Sequence, residues 1–153
     1  MNPLADLSAI RAFRAISDKL GTAGQPTADQ LRSIKEAGFE TVINLALPIS
    51  DNAIADEGSL VTKLGMAYVH IPVNFQTPKP EDFRVFSQVM RVFEARPVFV
   101  HCAANMRVSA FVFLDRVLHK GVPISEAKKD LDAIWKPDDV WSRFIETEQK
   151  ANR

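Results

Sequence analysis

Three absences limit what this protein can be: disulfides, net charge and long apolar runs. A single cysteine cannot form an intramolecular disulfide. Lysine plus arginine and aspartate plus glutamate both total 19, so no net field attracts nucleic acid or an anionic membrane. No apolar run approaches the roughly 20 residues that span a bilayer, and the N-terminus lacks the continuous apolar core of a signal peptide. We therefore predict a cytoplasmic protein that binds neither nucleic acid nor membrane, and leave its oligomeric state open.

Candidate metal ligands are also sparse. The three histidines and the one cysteine show no metal-ligand spacing, so we predict no metal and no cofactor. What is present is an ordinary globular composition, with 46% hydrophobic and 25% charged residues in a chain of 153. Because the chain has no repeat, low-complexity tract or long linker, residues 1–153 are predicted to form one domain.

Short β-rich apolar runs alternate with amphipathic segments along the chain. Strands are predicted at 41–47, 66–73 and 97–103, and helices at 27–38, 54–65, 79–95, 108–121, 125–135 and 138–150. We also expect an edge strand near "AISDKLGTAGQP" and a frayed end at "ETEQKANR". This alternation indicates an α/β fold, with a mostly parallel central sheet of four to five strands flanked by helices.

Chemically reactive residue types cluster in "HCAANMRVS", which follows the third predicted strand. Cys102 lies where that strand turns into a helix, and the free N–H groups and positive end of a helix favour a thiolate there. Arg107 supplies a planar cation that can hold two phosphate oxygens. Asn105 tolerates the left-handed conformation that a tight turn around an anion needs. These residue types at this spacing predict a nucleophile in an anion-binding loop.

The alternative is a purely structural loop. A lone cysteine near the end of a buried strand is most often an inert apolar residue. We favour the catalytic interpretation because Cys102 lies at a strand-to-helix turn, between His101 and a following arginine. His101 itself is assigned a supporting role.

The same loop resembles a known signature. "VHCAANMRVSAF" resembles the HC-x5-R-[S/T] motif of the cysteine-based protein tyrosine and dual-specificity phosphatases. "GTAGQPTADQLRSIKEAGFETVINLAL" is similar to the opening of the bacterial phosphatase-like family DUF442, and "YVHIPVN" is similar to the strand that enters the general-acid loop. The resemblance implies a phosphotyrosine-phosphatase-like fold of the dual-specificity type. It also implies a phosphorylated protein or small molecule as substrate.

The resemblance further implies a role for each loop residue. Cys102 would attack phosphorus and form a cysteinyl-phosphate, Arg107 would clamp two oxygens, and Ser109 would stabilise the thiolate leaving group. Besides Arg107, the residues whose backbone amides would bind the substrate are Ala103, Ala104, Asn105, Met106 and Val108.

Two departures from the signature bear on activity. Four residues separate Cys102 from Arg107, where the signature has five, so Val108 stands at the expected arginine position. Asn74 follows "HIPV" where the family has an aspartate, and it has no proton to give. Asp82 is the candidate acid that remains, although acids are common in the first turn of any helix. We therefore expect a weak phosphatase.

Two other functions stay open. The C-x4-R spacing is that of a rhodanese-like sulfurtransferase, whose smaller loop suits a persulfide. The segments upstream of the loop favour the phosphatase over this second enzyme. Val108 and Asn74 would also fit a non-catalytic phosphate-binding protein, which has kept the loop and lost the chemistry.

Overall fold

A five-stranded sheet forms the centre of the computed structural model, which describes residues 7–152. The strands are β1 (Arg14–Ser17), β2 (Leu20–Ala23), β3 (Thr41–Asn44), β4 (Ala67–His70) and β5 (Val98–His101), in the order β1-β2-β5-β3-β4. The β1–β2 pair is antiparallel, and the other three pairs are parallel. The carboxyl ends of β2, β5 and β3 therefore meet at one edge, where sheets of this kind bind ligands.

Six helices flank the sheet in the described part of the chain. They are α1 (Ala28–Glu36), α2 (Glu57–Lys63), α3 (Pro80–Phe93), α4 (Met106–His119), α5 (Ile124–Ile134) and α6 (Asp139–Ala151). Thr27 and Gln30 form a capping box at the start of α1, and Pro80 occupies the first turn of α3. None of these helices is long and apolar enough to cross a bilayer.

Apolar side chains pack on both faces of the sheet. Val42 and Phe99 belong to the cluster that includes α1 and α2, whereas Ile43 and Val100 belong to the cluster that includes α3 to α6. Helix α4 is buried continuously from Arg107 to Asp115, in agreement with its apolar circumference. A buried helix directly after the cysteine loop gives that loop a rigid support.

The predicted α/β fold is confirmed, and the edge strand expected in residues 15–26 is present as β1, but the same segment also contains a second strand. Two strands occupy this segment: β1 lies at the edge, and β2 lies inside the sheet between β1 and β5. The chain reverses between them, where the N–H of Lys19 donates to Ser17 Oγ (3.2 Å). The hairpin therefore contributes one exposed and one buried strand.

Element ends also differ from the predictions. The expected frayed end is wrong, because α6 continues to Ala151 and buries Ile145 and Glu148. The strands are shorter than predicted, since buried apolar residues such as Leu45 and Ala46 continue beyond the last ladder position. Burial alone therefore does not mark the end of a strand in this sheet.

Candidate active site

Cys102 lies at the sheet edge formed by the carboxyl ends of the parallel strands. It directly follows β5, its N–H donates to Ala23 O (3.3 Å), and residues 103–105 alone separate it from α4. Its side chain is 0% exposed, so a substrate reaches the sulfur only when a neighbouring group moves. The unpaired N–H groups in the first turn of α4 adjoin this loop.

Asn105 forms the tight turn of the loop. Its φ of 66° is left-handed, and its Nδ2 donates to Ala12 O (2.9 Å) and Thr22 Oγ1 (3.2 Å). The side chain is fully buried, and its Oδ1 has no hydrogen-bond partner. Asn105 therefore supplies the turn and also ties it to β2 and to the segment before β1.

We predict that Asn105→Gly lowers the free energy of unfolding by about 2 kcal/mol, because two hydrogen bonds worth about 1 kcal/mol each are lost. Asn105→Ala should cost about 1 kcal/mol more, since alanine pays a steric penalty in the left-handed conformation and glycine does not. Urea unfolding of the three proteins measures both differences. An alanine variant as stable as the glycine variant would contradict the importance of this backbone conformation.

The carbonyl of Ala103 points away from the inner side of the loop, toward the segments that contain Gln25 and Asn52. Ala103 O accepts hydrogen bonds from Gln25 N (3.2 Å) and Asn52 Nδ2 (3.2 Å). Since a trans peptide points its C=O and the following N–H in opposite directions, the N–H of Ala104 points to the inner side of the loop. Gly24 allows this close packing, because a Cβ there would lie 2.7 Å from Ala103 O. The "GQP" segment thus helps to shape the loop.

Arg107 is a buried cation without a counterion. It is 7% exposed, its Nη1 donates to Val73 O (2.9 Å), and its Cζ lies 5.9 Å from the ring centroid of Phe75. Its Nε has no hydrogen-bond partner, and no carboxylate in residues 7–152 pairs with it. Val108, at the signature's arginine position, is fully buried in the apolar core. An unpaired buried charge is costly, so this site favours an anion.

Ser109 and Asn74 both make local contacts. Ser109 Oγ donates to Met106 O (2.9 Å) and accepts from Trp135 Nε1 (3.0 Å), so its proton is engaged within α4. Asn74 Oδ1 accepts from Gln76 N (2.9 Å), which stabilises a turn in the loop before α3. Neither side chain makes a hydrogen bond to Cys102 in the described chain.

Asp82 lies in the first turn of α3. Burial raises the pKa of its carboxyl. The positive charge of Lys79 opposes this rise, and the negative charge of Glu81 adds to it. A raised pKa suits a proton donor. Within residues 7–152, however, no hydrogen bond joins the Asp82 side chain to the loop that holds Cys102.

A buried carboxylate behind the loop was not predicted. Glu57 Oε2 lies 2.7 Å from His101 Nε2, and Glu57 Oε1 accepts from Gln25 Nε2 (2.5 Å). Burial acts to raise the pKa of Glu57, because it disfavours the charged carboxylate. The hydrogen bond and charge of His101 act in the opposite direction, as do the hydrogen bonds from Gln25 and Tyr68. Together they hold the pKa of Glu57 below its ordinary value of 4.5. Because His101 Nδ1 lies 3.2 Å from Cys102 O, this contact supports the backbone of Cys102.

Tyr68 completes the polar group around Glu57. Burial raises the pKa of its phenol to about 12. The hydrogen bond from Asn44 opposes this rise, and the negative charge of Glu57 adds to it. The phenol therefore stays protonated at neutral pH and donates to the carboxylate. In the sequence, Glu57 looks like any acid in the first turn of a helix, and no motif distinguishes it.

The donors around the loop suit an anion better than a metal. No three His, Cys, Asp or Glu side chains of residues 7–152 lie together as a metal site would require. The groups that adjoin the loop are the N–H of Ala104 and the N–H groups that begin α4, and the guanidinium of Arg107 contacts Val73 and Phe75. Directed N–H groups with a planar cation match the oxygens of a phosphoryl group.

A cysteine at this edge of the sheet, followed by a tight turn and a buried arginine, is an arrangement that fits a phosphatase of the cysteine-based class. The sequence model of a family described as "DSP-PTPase phosphatase fused to NAD+ Kinase" matches residues 16–136. The chain belongs to this family of dual-specificity-type phosphatases. Comparison with curated protein sequences finds no significant match.

Solved structures agree with this assignment. A DUF442 protein of Shewanella putrefaciens CN-32, described as a phosphatase, is 33% identical with a TM-score of 0.87, covering 97% of this chain and 98% of that one. PTPMT1, solved with PI(5)P, is 13% identical with a TM-score of 0.76, covering 92% and 96%. P. aeruginosa TpbA, solved with pTyr, is 15% identical with a TM-score of 0.68, covering 92% and 89%. The last two show the fold alone.

Proposed function

We propose that the protein hydrolyses phosphate monoesters through a cysteinyl-phosphate on Cys102. The thiolate attacks phosphorus, the S–P bond forms, and the P–O bond to the leaving group breaks. The leaving oxygen takes a proton from an acid of the site or from water. Water then attacks phosphorus, the S–P bond breaks, and inorganic phosphate leaves as the thiolate forms again.

The observation that carries this proposal is the buried guanidinium of Arg107, which has no carboxylate partner in residues 7–152 and whose Nε makes no hydrogen bond. A phosphoryl group would supply the negative charge that no carboxylate in residues 7–152 supplies, and it would offer an acceptor to the free Nε. The N–H groups of the loop would hold the remaining oxygens. Such donors act most strongly on the charge that develops in the transition state, because they are already oriented.

The leaving group decides how fast the first step runs. General acid catalysis contributes typically about 10²–10⁴-fold, and Asn74 cannot provide it. Glu81 and Asp82 are the next acids along the chain after Asn74, and burial raises the pKa of Asp82. Since no contact links Asp82 to the loop in the described residues, we expect measurable turnover on aryl phosphates, whose leaving groups need little protonation, and slow turnover on alkyl phosphates.

The comparisons support neither a sulfurtransferase nor a non-catalytic phosphate-binding protein, and one pair of assays separates all three functions. Wild-type protein should release p-nitrophenol from p-nitrophenyl phosphate, and Cys102→Ser protein gives the background rate. Phosphate binding without release above that background would favour the non-catalytic function. Sulfur transfer from thiosulfate to cyanide, without phosphate hydrolysis, would establish the rhodanese-like function instead.

Arg107→Lys should lower kcat/KM for p-nitrophenyl phosphate by about 10²–10³-fold, because lysine keeps the charge but loses the planar fork that holds two oxygens. Arg116→Lys is the matched control. Arg116 lies on the same helix and pairs with Asp130 (2.6 Å), away from the loop, so its replacement should change kcat/KM by less than about threefold. Equal losses in the two variants would show that Arg107 is not the phosphate clamp.

A further inference from the structure

The last helix holds the loop of residues 71–79, which connects β4 to α3. Trp141 of α6 is fully buried, and its Nε1 donates to Phe75 O (2.7 Å). The ring centroid of Phe75 lies 5.7 Å from that of Trp135 and 5.9 Å from that of Trp141. Helix α6 therefore holds this loop through a backbone hydrogen bond and through ring contacts.

The same loop holds the guanidinium of Arg107. Val73 O accepts from Arg107 Nη1 (2.9 Å), and the ring of Phe75 lies beside Arg107 Cζ at 5.9 Å. Val73 is itself 0% exposed. Val73 and Phe75, which make these two contacts, lie two positions apart, and Trp141 donates a hydrogen bond to Phe75 O. The position of Arg107 thus depends on where the loop lies.

Trp135 makes a second connection between the C-terminal helices and the site. Its Nε1 donates to Ser109 Oγ (3.0 Å), and Ser109 Oγ in turn donates to Met106 O (2.9 Å) at the start of α4. The two indole rings contact each other, with centroids 6.3 Å apart. One tryptophan therefore contacts the first turn of α4, and the other contacts the loop that faces Arg107.

We propose that Trp141 is a positioning residue of the phosphatase site: through Phe75 it fixes the loop that directs Arg107 to the bound phosphoryl group. This inference rests on the proposed function, and it goes beyond the signature residues because Trp141 lies outside residues 16–136, which the family model matches. A tryptophan that only packed the last helices would affect stability and leave the affinity of the folded protein for oxyanions unchanged.

The test is Trp141→Phe, which keeps an aromatic ring and removes the N–H that binds Phe75 O. The dissociation constant for orthovanadate, measured by calorimetry, should rise about fivefold. This rise corresponds to the loss of one hydrogen bond between Arg107 and the bound oxyanion. Misplacement of Arg107 should lower kcat/KM for p-nitrophenyl phosphate by roughly tenfold or more. If Trp141→Phe does not fold, Phe75→Leu tests the ring contact between the loop and Trp141, since the backbone O of Phe75 still accepts from Trp141 Nε1 in that variant.

Phe144→Leu is the matched control. The ring of Phe144 contacts the rings of Trp141 and Phe111, and in residues 7–152 it forms no ring contact with Phe75 and no cation–π contact with Arg107. This variant should melt at a lower temperature while binding orthovanadate as the wild type does. Equal losses of affinity in Phe144→Leu and Trp141→Phe would overturn the inference, because general packing would then explain both.

Unchanged orthovanadate affinity in folded Trp141→Phe would also overturn the inference, whatever its melting temperature. The proposed function fails separately, if wild-type protein binds orthovanadate but hydrolyses no aryl phosphate. In that case the affinities of the variants still decide the role of Trp141. A wild type that binds no orthovanadate would overturn both the function and the inference.

Discussion

Cys102→Ser is expected to reduce the hydrolysis of p-nitrophenyl phosphate to the rate of buffer alone. A serine hydroxyl is not ionised at neutral pH and needs an adjacent base to become a nucleophile. The ring nitrogens of His101 are already engaged with Cys102 O and with Glu57, so His101 cannot serve as that base. Loss of a nucleophile from a catalytic group of this kind costs about 10⁴-fold or more.

Phosphate binding should survive the same substitution, because it leaves Arg107 and the N–H groups of the loop in place. Calorimetry with inorganic phosphate tests this on wild-type and Cys102→Ser protein in parallel. The chain has one cysteine, so modification by a thiol reagent reports on Cys102 alone, and phosphate should slow it. Hydrolysis that persists in Cys102→Ser would show that another group, or water itself, attacks phosphorus.

Sequence periodicity predicted most of the fold, because the buried parallel strands and the helix after them are apolar in long, distinct runs. "TVIN" and "VFVH" are entirely buried, and α4 buries nine successive residues. The hairpin of β1 and β2 was missed for a physical reason. Its turn, Asp18–Lys19, carries no glycine or asparagine, and β1 alternates between half-buried and exposed residues.

The loop itself was predicted because its residues are consecutive in the chain. Its supports were not, because they come from distant segments: Glu57 lies 44 residues from His101, and Trp141 lies 66 residues from Phe75. Local patterns carry no information about such pairs. Trp135 and Trp141 contact each other. Their hydrogen bonds to the loop and to α4 depend on the three-dimensional packing of α5 and α6.

Glu57→Ala is expected to lower the free energy of unfolding by about 1–3 kcal/mol, the usual cost of leaving a buried hydrogen-bonding group without its partner. The variant leaves His101 without its partner in a fully buried position. Glu57→Gln should cost less, since its amide oxygen can accept from His101, and Gln25 has an unpaired Oε1 that can accept from the new amide nitrogen. Urea unfolding at neutral pH measures all three proteins.

Glu81→Ala is the matched control for the loss of a carboxylate. Glu81 is exposed and pairs with Arg84 at 3.3 Å on the surface of α3. Exposed pairs contribute little, so this variant should differ from wild type by less than about 1 kcal/mol. A loss in Glu57→Ala no larger than that in Glu81→Ala would show that the Glu57–His101 contact does not stabilise the fold.

The same carboxylate gives wild-type stability a pH dependence of known sign. The pKa of Glu57 in the folded protein lies below its ordinary value of 4.5, so the folded state favours the ionised carboxyl. Its contribution is fully present above the ordinary pKa and is lost as pH falls through the lower, folded-state pKa. Glu57→Gln has no proton to bind there, so the stability difference between it and wild type should shrink when urea unfolding is repeated at pH values from neutral to well below 4.5. A difference that stays constant would show that the carboxylate is not held ionised by His101. A difference that shrinks would identify acidification as a way to weaken the support of the Cys102 backbone.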